Sequence, residues 1–259
     1  MKRIYFLSDF HLGSPDHESS LQREKYIVKF LEEIKNDASE IYFLGDVFDF
    51  WFEYGKAVPC GYVRLLGKLA ELSDAGITLH YFTGNHDMWV FDYLPKELNI
   101  KIYRNSATKE INGKKFYLGH GDGLGPNDFG YKFIKSVFAS KICQWLFARI
   151  HPNFGIRIAE FWSGQSRIAT SKLHFHGEKE WLVVHAKKIL EKEHFDYFIF
   201  GHRHIPIDMH LTSDNIHPNN KAVKISRYIN LGEWLTHFSY AMFDGEDVKL
   251  YYKKPSVPF

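Results

Sequence analysis

Cysteine is scarce in this 259-residue chain: Cys60 and Cys143 are the only two, and 83 positions separate them. No CxxC pair occurs. A thiolate metal site, an iron–sulfur cluster and a disulfide-stapled fold are therefore excluded, and a reducing compartment is the simple expectation. No apolar run approaches the ~18 residues that a membrane helix needs. Charge of one sign is missing too: 33 Lys and Arg against 31 Asp and Glu leave +2, which excludes a uniformly basic nucleic-acid coat. The opening MKRIYFLSDFHL holds too short an apolar run before Asp9 for a secretory signal. The expectation is a cytoplasmic protein, with peripheral contact at the inner face of the cytoplasmic membrane left open.

What the chain has in abundance is aromatic residues, at 17%, and histidine, with 15 copies. Apolar residues at 45% and charged residues at 25% exclude a mainly disordered polypeptide. Several short apolar runs end in polar clusters. Arg3–Leu7 leads into Ser8-Asp9-Phe10-His11, Ile41–Leu44 into Gly45-Asp46, and Thr78–Phe82 into Thr83-Gly84-Asn85-His86-Asp87. Lys115–Leu118 leads into Gly119-His120-Gly121-Asp122, and Tyr197–Phe200 into Gly201-His202-Arg203-His204. Such continuous runs suit buried strands. Helical patterns over Leu21–Lys35 and Val63–Asp74 separate the first three and predict βαβ units. Open α/β sheets bind ligands beyond the carboxyl ends of their strands, so the five clusters should converge. Three more strands are predicted over Arg227–Leu231, Ser239–Phe243 and Val248–Tyr252, with Asp244-Gly245 in a turn. No Pro-, Gly- or Ser-rich linker divides the chain, so one domain over 1–259 with an insertion is expected.

The converging residues are Asp9, His11, Asp46, Asn85, His86, His120, His202 and His204. Carboxylate, imidazole and amide without thiolate suit Mn, Fe, Zn or Co. They outnumber the ligands of one ion, which points to a two-metal site, with Asp46, alone at its strand end, as the shared carboxylate. Steps of 37, 39 and 35 residues from Asp9 to Asp46, Asn85 and His120 each fit one βαβ unit. The next step, 82 residues to His202, carries roughly 45 too many and locates the insertion.

The ordered set DxH, GD, GNHD, GH and GHRH resembles that of the calcineurin-like metallophosphoesterases. The resemblance covers roughly 1–125 and 195–245 and implies an α/β fold, a four-layer α/β/β/α sandwich with a helical lid insertion at about 125–175. It implies one metal on Asp9, His11, Asp46 and His204 and a second on Asp46, Asn85, His120 and His202. A hydroxide bridging the two would attack phosphorus in line. His86 would serve the phosphoryl oxygens as a hydrogen-bond or proton donor, and Asp87 would orient His86 or another ligand. The other ten histidines, including the pair in His174-Phe175-His176, are read as ordinary surface or core residues.

The insertion has its own chemistry. Phe129–Leu173 holds Lys132, Lys135, Lys141, Arg149, Arg157, Arg167 and Lys172 against Glu160 alone, and nine aromatics. Phe133, Val137, Ile142, Trp145, Leu146 and Arg149 follow roughly helical spacing, and Pro152 predicts a break between two or more short helices. A helical cap with a solvated basic face is one reading. The other is a lid for an apolar anionic substrate, its cations facing phosphates or an anionic membrane. Single-stranded nucleic acid also uses basic aromatic surfaces, but no nucleic-acid partner is expected.

A narrower resemblance favours lipid. Ser8–Gly13, Gly45–Trp51, His120–Leu124 with Asn127–Tyr131, and Gly201–Pro206 are similar to the UDP-2,3-diacylglucosamine diphosphatases, the lipid A branch of that family. The branch implies hydrolysis of the sugar nucleotide's pyrophosphate to UMP and 2,3-diacylglucosamine 1-phosphate, with Mn²⁺ and with Zn²⁺ or Fe²⁺ as alternatives, at the inner membrane surface. Substrate contacts would be Asn85, His86, Asp128, Ser166, Arg167 and Lys172, although Asp128 also suits a helix cap. Two positions depart from the branch: His86 stands where Arg usually follows the motif Asn, and Gly125-Pro126 stands in place of Cys-Thr. A phosphodiesterase or phosphatase for another nucleotide, nucleic acid or phospholipid is the alternative. Trp51 either flanks the site or fills a gap between layers.

Overall fold

The computed structural model describes residues 2–125, 129–170, 174–211 and 225–255. The predicted strands form at β1 (Arg3–Leu7), β2 (Ala38–Leu44) and β3 (Thr78–Phe82), and a three-residue β4 (Lys101–Tyr103) follows. All four run parallel, and β10 (Ser239–Phe243) and β11 (Val248–Tyr252) extend the sheet antiparallel beyond β1. A second sheet orders β5 (Ala107–Ile111), β6 (Lys114–Gly119), β7 (Tyr197–Phe200), β9 (Ser226–Leu231) and β8 (Pro206–Leu211), with β6, β7 and β9 parallel.

Alternation along each strand builds the layers. Ile4 and Phe6 of β1 face the second sheet and pack with Phe116, Leu118, Ile199 and Ile229. Tyr5 and Leu7 face the other way, onto helices α1 (His17–Ile34) and α2 (Val63–Asp74) through Ile27, Phe30, Leu31, Leu65 and Leu69. On the far side, Phe198, Phe200 and Tyr228 pack against Leu182, Val183 and Ala186 of α7 (Trp181–Leu190). Helix, sheet, sheet and helix are thus stacked as four layers. Both faces of these strands are covered, which is why their sequences read as unbroken apolar runs.

Between β6 and a 3₁₀ turn at Gly177–Lys179 lie α4 (Phe129–Ala139), α5 (Lys141–Phe147) and α6 (Pro152–Thr170); α3 (Tyr93–Leu98) is a short helix after β3. Pro152 opens α6, where its missing N–H costs nothing. The lid helices sit on an aromatic patch of the core. Phe138 and Phe147 pack on Phe50, Phe52 and Trp89, and the Trp89 indole donates to the Phe138 carbonyl at 2.8 Å. The stripe of Phe133, Val137, Ile142, Trp145 and Leu146 faces outward instead.

Helix α1 begins at Asp16, whose carboxylate accepts from the Ser19 backbone N–H at 2.9 Å. Its Arg23, buried at 3% exposure, reaches the loop after β1: Nε donates to the Phe10 carbonyl at 2.8 Å and Nη2 to the His11 carbonyl at 2.7 Å and to that of Ser14. Replacing Arg23 with Met leaves these buried acceptors without a charged donor and should cost about 3 kcal/mol. Urea unfolding should show that loss together with reduced turnover. A shift under about 1 kcal/mol would mean that the loop is held by other contacts.

Candidate active site

Each polar cluster leaves its strand through an abrupt turn. Asp9, His11, Asp46, His202 and His204 all adopt left-handed backbone, with φ between 45° and 67°. That region disfavours ordinary side chains. Two glycines let the turns approach one another. A Cβ on Gly84 would strike the Asp46 carboxylate, and one on Gly45, itself at φ +90°, would lie 2.5 Å from His120 Nδ1. Backbone bonds then lace the turns together. Asp9 N–H donates to the Gly45 carbonyl at 3.0 Å, His11 N–H to that of Asp46 at 2.9 Å, and Gly201 N–H to that of His120 at 3.0 Å.

The side chains converge as the strand ends require. Ligand atoms of Asp9, His11, Asp46 and His204 lie within 4.8 Å of one another, and so do those of Asp46, His120 and His202. Asp46 is common to both groups. Asp46 Oδ1 accepts the His86 backbone N–H at 2.9 Å, while Oδ2 lies 3.2 Å from His120 Nε2 and 3.9 Å from His11 Nε2. Asn85 Oδ1 lies 3.2 Å from His120 Nε2. His11 Nε2 and His204 Nε2 point at each other at 3.0 Å, as do His202 Nδ1 and His120 Nε2 at 3.2 Å. Paired imidazole nitrogens around a desolvated carboxylate oxygen are the donor set of a divalent cation site. The outward nitrogens are fixed as well: His120 Nδ1 donates to the Leu44 carbonyl at 2.8 Å, and His11 Nδ1 lies 3.2 Å from Asp49 Oδ1. A third possible cluster among the described residues joins His11, Asp49 and His86.

Electrostatics follow from this packing. Burial alone would raise Asp9 and Asp46, but His11, His204, His120 and His86 hold both carboxylates far below their usual range. Burial alone would lower His11; its bonds to Asp49 and Asp9 and the charge of Asp46 instead lift it to about 10. His120 is lifted to about 10 by Asp46 in the same way. Burial and the charge of His120 push His202 down to about 3.

His86 lies beside Asp46, with Nε2 4.0 Å from Asp46 Oδ2. Asp87 faces away from the reacting side. Its oxygens accept the Val47 N–H at 2.8 Å, the Gly84 N–H at 2.7 Å and the Tyr81 hydroxyl, so it braces the two turns that carry Asp46 and Asn85. Burial and the charge of Asp46 raise Asp87 to about 6. Trp51 is fully buried, stacked 4.4 Å from Phe48, and fills the gap between layers. Asp128 and Lys172 lie outside the described residues, as do the side chains of Ser166 and Arg167, whose backbone belongs to α6. Sequence reasoning passed over Asp49 and Ser163. A carboxylate inside the apolar run Val47-Phe48-Asp49-Phe50-Trp51 was the available signal for Asp49; Ser163 had none.

The calcineurin-like phosphoesterase pattern matches residues 2–206. The chain belongs to that family. This phosphoesterase is 38% identical to the UDP-2,3-diacylglucosamine hydrolase of Porphyromonas gingivalis, over 96% of each chain. It is 28% identical to the protein of that name from Aeromonas salmonicida, over 88% of this chain and 85% of that one. Histophilus somni has another at 26%, over 90% and 93%. With its family the chain is a metal-dependent hydrolase.

In the metal-free phosphoesterase His11 and His120 hold protons at neutral pH, because both titrate near 10. A divalent ion must displace them, so its affinity should rise with pH and weaken as pH falls. Calorimetry in buffers of different ionisation enthalpy should register release of about two protons per protein at pH 7. Release of none would contradict the protonation described here.

Proposed function

We propose that this phosphoesterase hydrolyses the pyrophosphate of UDP-2,3-diacylglucosamine, giving UMP and 2,3-diacylglucosamine 1-phosphate. One observation carries the reading beyond the family's chemistry. A cavity of about 410 Å³ opens beside the phosphoester centre, its walls shared by the core (Asp49, Phe50, Asn85, His86, Met88, Trp89) and the lid (Ile134, Lys135, Phe138, Phe147, Ile150, Ile158, Ala159, Ser163). Its lining is mostly apolar, so it suits an acyl chain. Asn85 and His86 stand where that chain would meet the phosphates. The names of the curated relatives support the same substrate.

In this reading two divalent ions, Mn²⁺ by preference, are held by Asp9, His11, Asp46 and His204 and by Asp46, Asn85, His120 and His202. The site fits them: Asp46 Oδ2 is buried without a hydrogen-bond partner and faces the imidazoles. Bound ions would supply Lewis-acid activation of water and neutralise phosphoryl charge. His86 presents Nε2 to the reacting oxygens, and Asp87 fixes the loops around it. Lys135, tied to Asp122 Oδ2 at 2.6 Å, brings a cation to the cavity. Asp128, Ser166, Arg167 and Lys172 are kept as contacts for the polar part of the substrate, and the three helices at about 125–175 as a lid on one domain.

The outer face of the lid supports contact with an anionic membrane. Phe133 and Ile142 are about 70% exposed. Trp145, Leu146, Phe154 and Phe161 are also uncovered; Arg149 lies over the Trp145 ring, and Lys141 and Arg157 are exposed on α5 and α6. An apolar patch edged with cations partitions to anionic bilayers. No described helix is long and apolar enough to cross one.

The deciding assay is EDTA-sensitive UMP release from UDP-2,3-diacylglucosamine in detergent with Mn²⁺, beside UDP-N-acetylglucosamine and bis-p-nitrophenyl phosphate. UMP should appear from the acylated substrate alone. Turnover of the diester without the lipid would replace this reading with a general phosphodiesterase. Ile158→Asp should raise KM for the acylated substrate about tenfold, from lost apolar burial, and leave the diester unchanged. Equal effects on both would remove the acyl chain from the cavity.

Co-sedimentation with phosphatidylglycerol vesicles should be strong at low salt and lost in Ile142→Glu/Trp145→Glu. Retention by that variant would move the membrane contact elsewhere.

A further inference from the structure

Ser163 of α6 is buried at 7% exposure and meets two residues of the core that lie far from it in sequence. Its hydroxyl is 2.6 Å from Asp49 Oδ2 and 2.8 Å from His86 Nδ1. A serine has one proton to donate, and the carboxylate is the stronger acceptor. The hydroxyl therefore donates to Asp49 and presents a lone pair to His86, so His86 Nδ1 carries the hydrogen. A second contact requires the same tautomer. The main-chain carbonyl of Asp49, which can only accept, lies 3.2 Å from the same nitrogen. Nε2 is left as the atom on the Asp46 side, 4.0 Å from Oδ2. The other Asp49 oxygen, Oδ1, lies 3.2 Å from His11 Nδ1, so one carboxylate orients both rings. The two rings stand edge to face, 4.9 Å apart.

We propose that Ser163 is a positioning residue for hydrolysis: through the chain Asp49–Ser163–His86 it holds His86 in one tautomer and orientation and couples that ring to the lid. The assignment rests on the reading of His86 as the group that serves the reacting oxygens: with the hydrogen on Nδ1 the neutral ring offers Nε2 as an acceptor, and it donates from Nε2 only when both nitrogens are protonated. Ser163 comes from the insertion, whereas Asp49 and His86 come from the core. The imidazole is therefore set for reaction when α6 is seated on Phe50 and Trp89, and the same seating places Ile158, Ala159 and Ser163 in the wall of the apolar cavity.

The test is a double-mutant cycle on Ser163→Ala and His86→Ala, with Ser163→Thr as the conservative variant, run on both the acylated sugar nucleotide and bis-p-nitrophenyl phosphate. Ser163→Ala should lower kcat about tenfold, the worth of one ordinary hydrogen bond, with KM and bound metal unchanged. Ser163→Thr should restore most of that loss. In the His86→Ala background, removing the hydroxyl should change kcat less than about twofold, because the ring it positions is gone. Additive losses, a change confined to KM, or equal behaviour of the Ala and Thr variants would overturn the assignment. Nitrogen NMR of His86 reads the same chain without turnover. The ring should be Nδ1-protonated in the parent. Because the Asp49 carbonyl still accepts from Nδ1 in Ser163→Ala, that variant should keep the tautomer but show a shifted, broadened Nδ1 resonance as the ring loses its fixed orientation; an unchanged resonance overturns the proposal even where a variant folds poorly enough to blur the kinetics. Should the lipid prove inert while the diester turns over, the substrate reading fails and the cycle still decides the role of Ser163.

Discussion

Asp46 holds a negative charge where almost no water reaches it. A lone carboxylate in such a place costs several kcal/mol, so it persists only with charge or strong donors arranged around it. Every turn of the active site answers that demand. The loop after β1 supplies His11, that after β3 supplies the His86 amide, and that after β6 supplies His120. The loop after β7 reaches the same centre through His202, beside His120. The two sheets are thus joined at their carboxyl ends by electrostatics as well as by the apolar contact of Phe6 with Phe116.

Around that rigid centre the lid is attached by a different kind of contact. Phe138 and Phe147 lie on the rings of Phe50, Phe52 and Trp89, a seam that is apolar and non-directional. Direction comes from a few polar ties: the Trp89 indole to the Phe138 carbonyl, Lys135 to Asp122, and Ser163 to Asp49 and His86. Non-directional packing alone would leave the placement of the helices open, and the polar ties define the seated position.

Much of this was legible in the sequence because it depends on local pattern. The strands Arg3–Leu7, Thr78–Phe82, Tyr197–Phe200, Ser239–Phe243 and Val248–Tyr252 begin and end where the apolar runs do. The ligand candidates were visible because parallel strands deliver their next residues to one edge. Less was visible where pattern is weak. Ala107–Ile111 is half exposed on both faces, Lys101–Tyr103 is three residues long, and Pro206–Leu211 is an edge strand that opens with proline. The helical spacing of the lid's stripe predicted helices without saying which way the stripe points, and it faces solvent while Phe138 and Phe147 make the seam. Asp49 and Ser163 are 114 positions apart, and no spacing rule brings such a pair together.

Five residues of the site sit in left-handed backbone, and none of them is glycine. Each such position stores roughly 1 kcal/mol or more that the rest of the fold must supply. Selection for chemistry keeps aspartate and histidine there; selection for stability would favour glycine or asparagine. The same side chains supply the contacts that hold their own turns, as when Asp46 accepts the His86 amide and Asp9 that of His202, so backbone strain and ligand set stand or fall together.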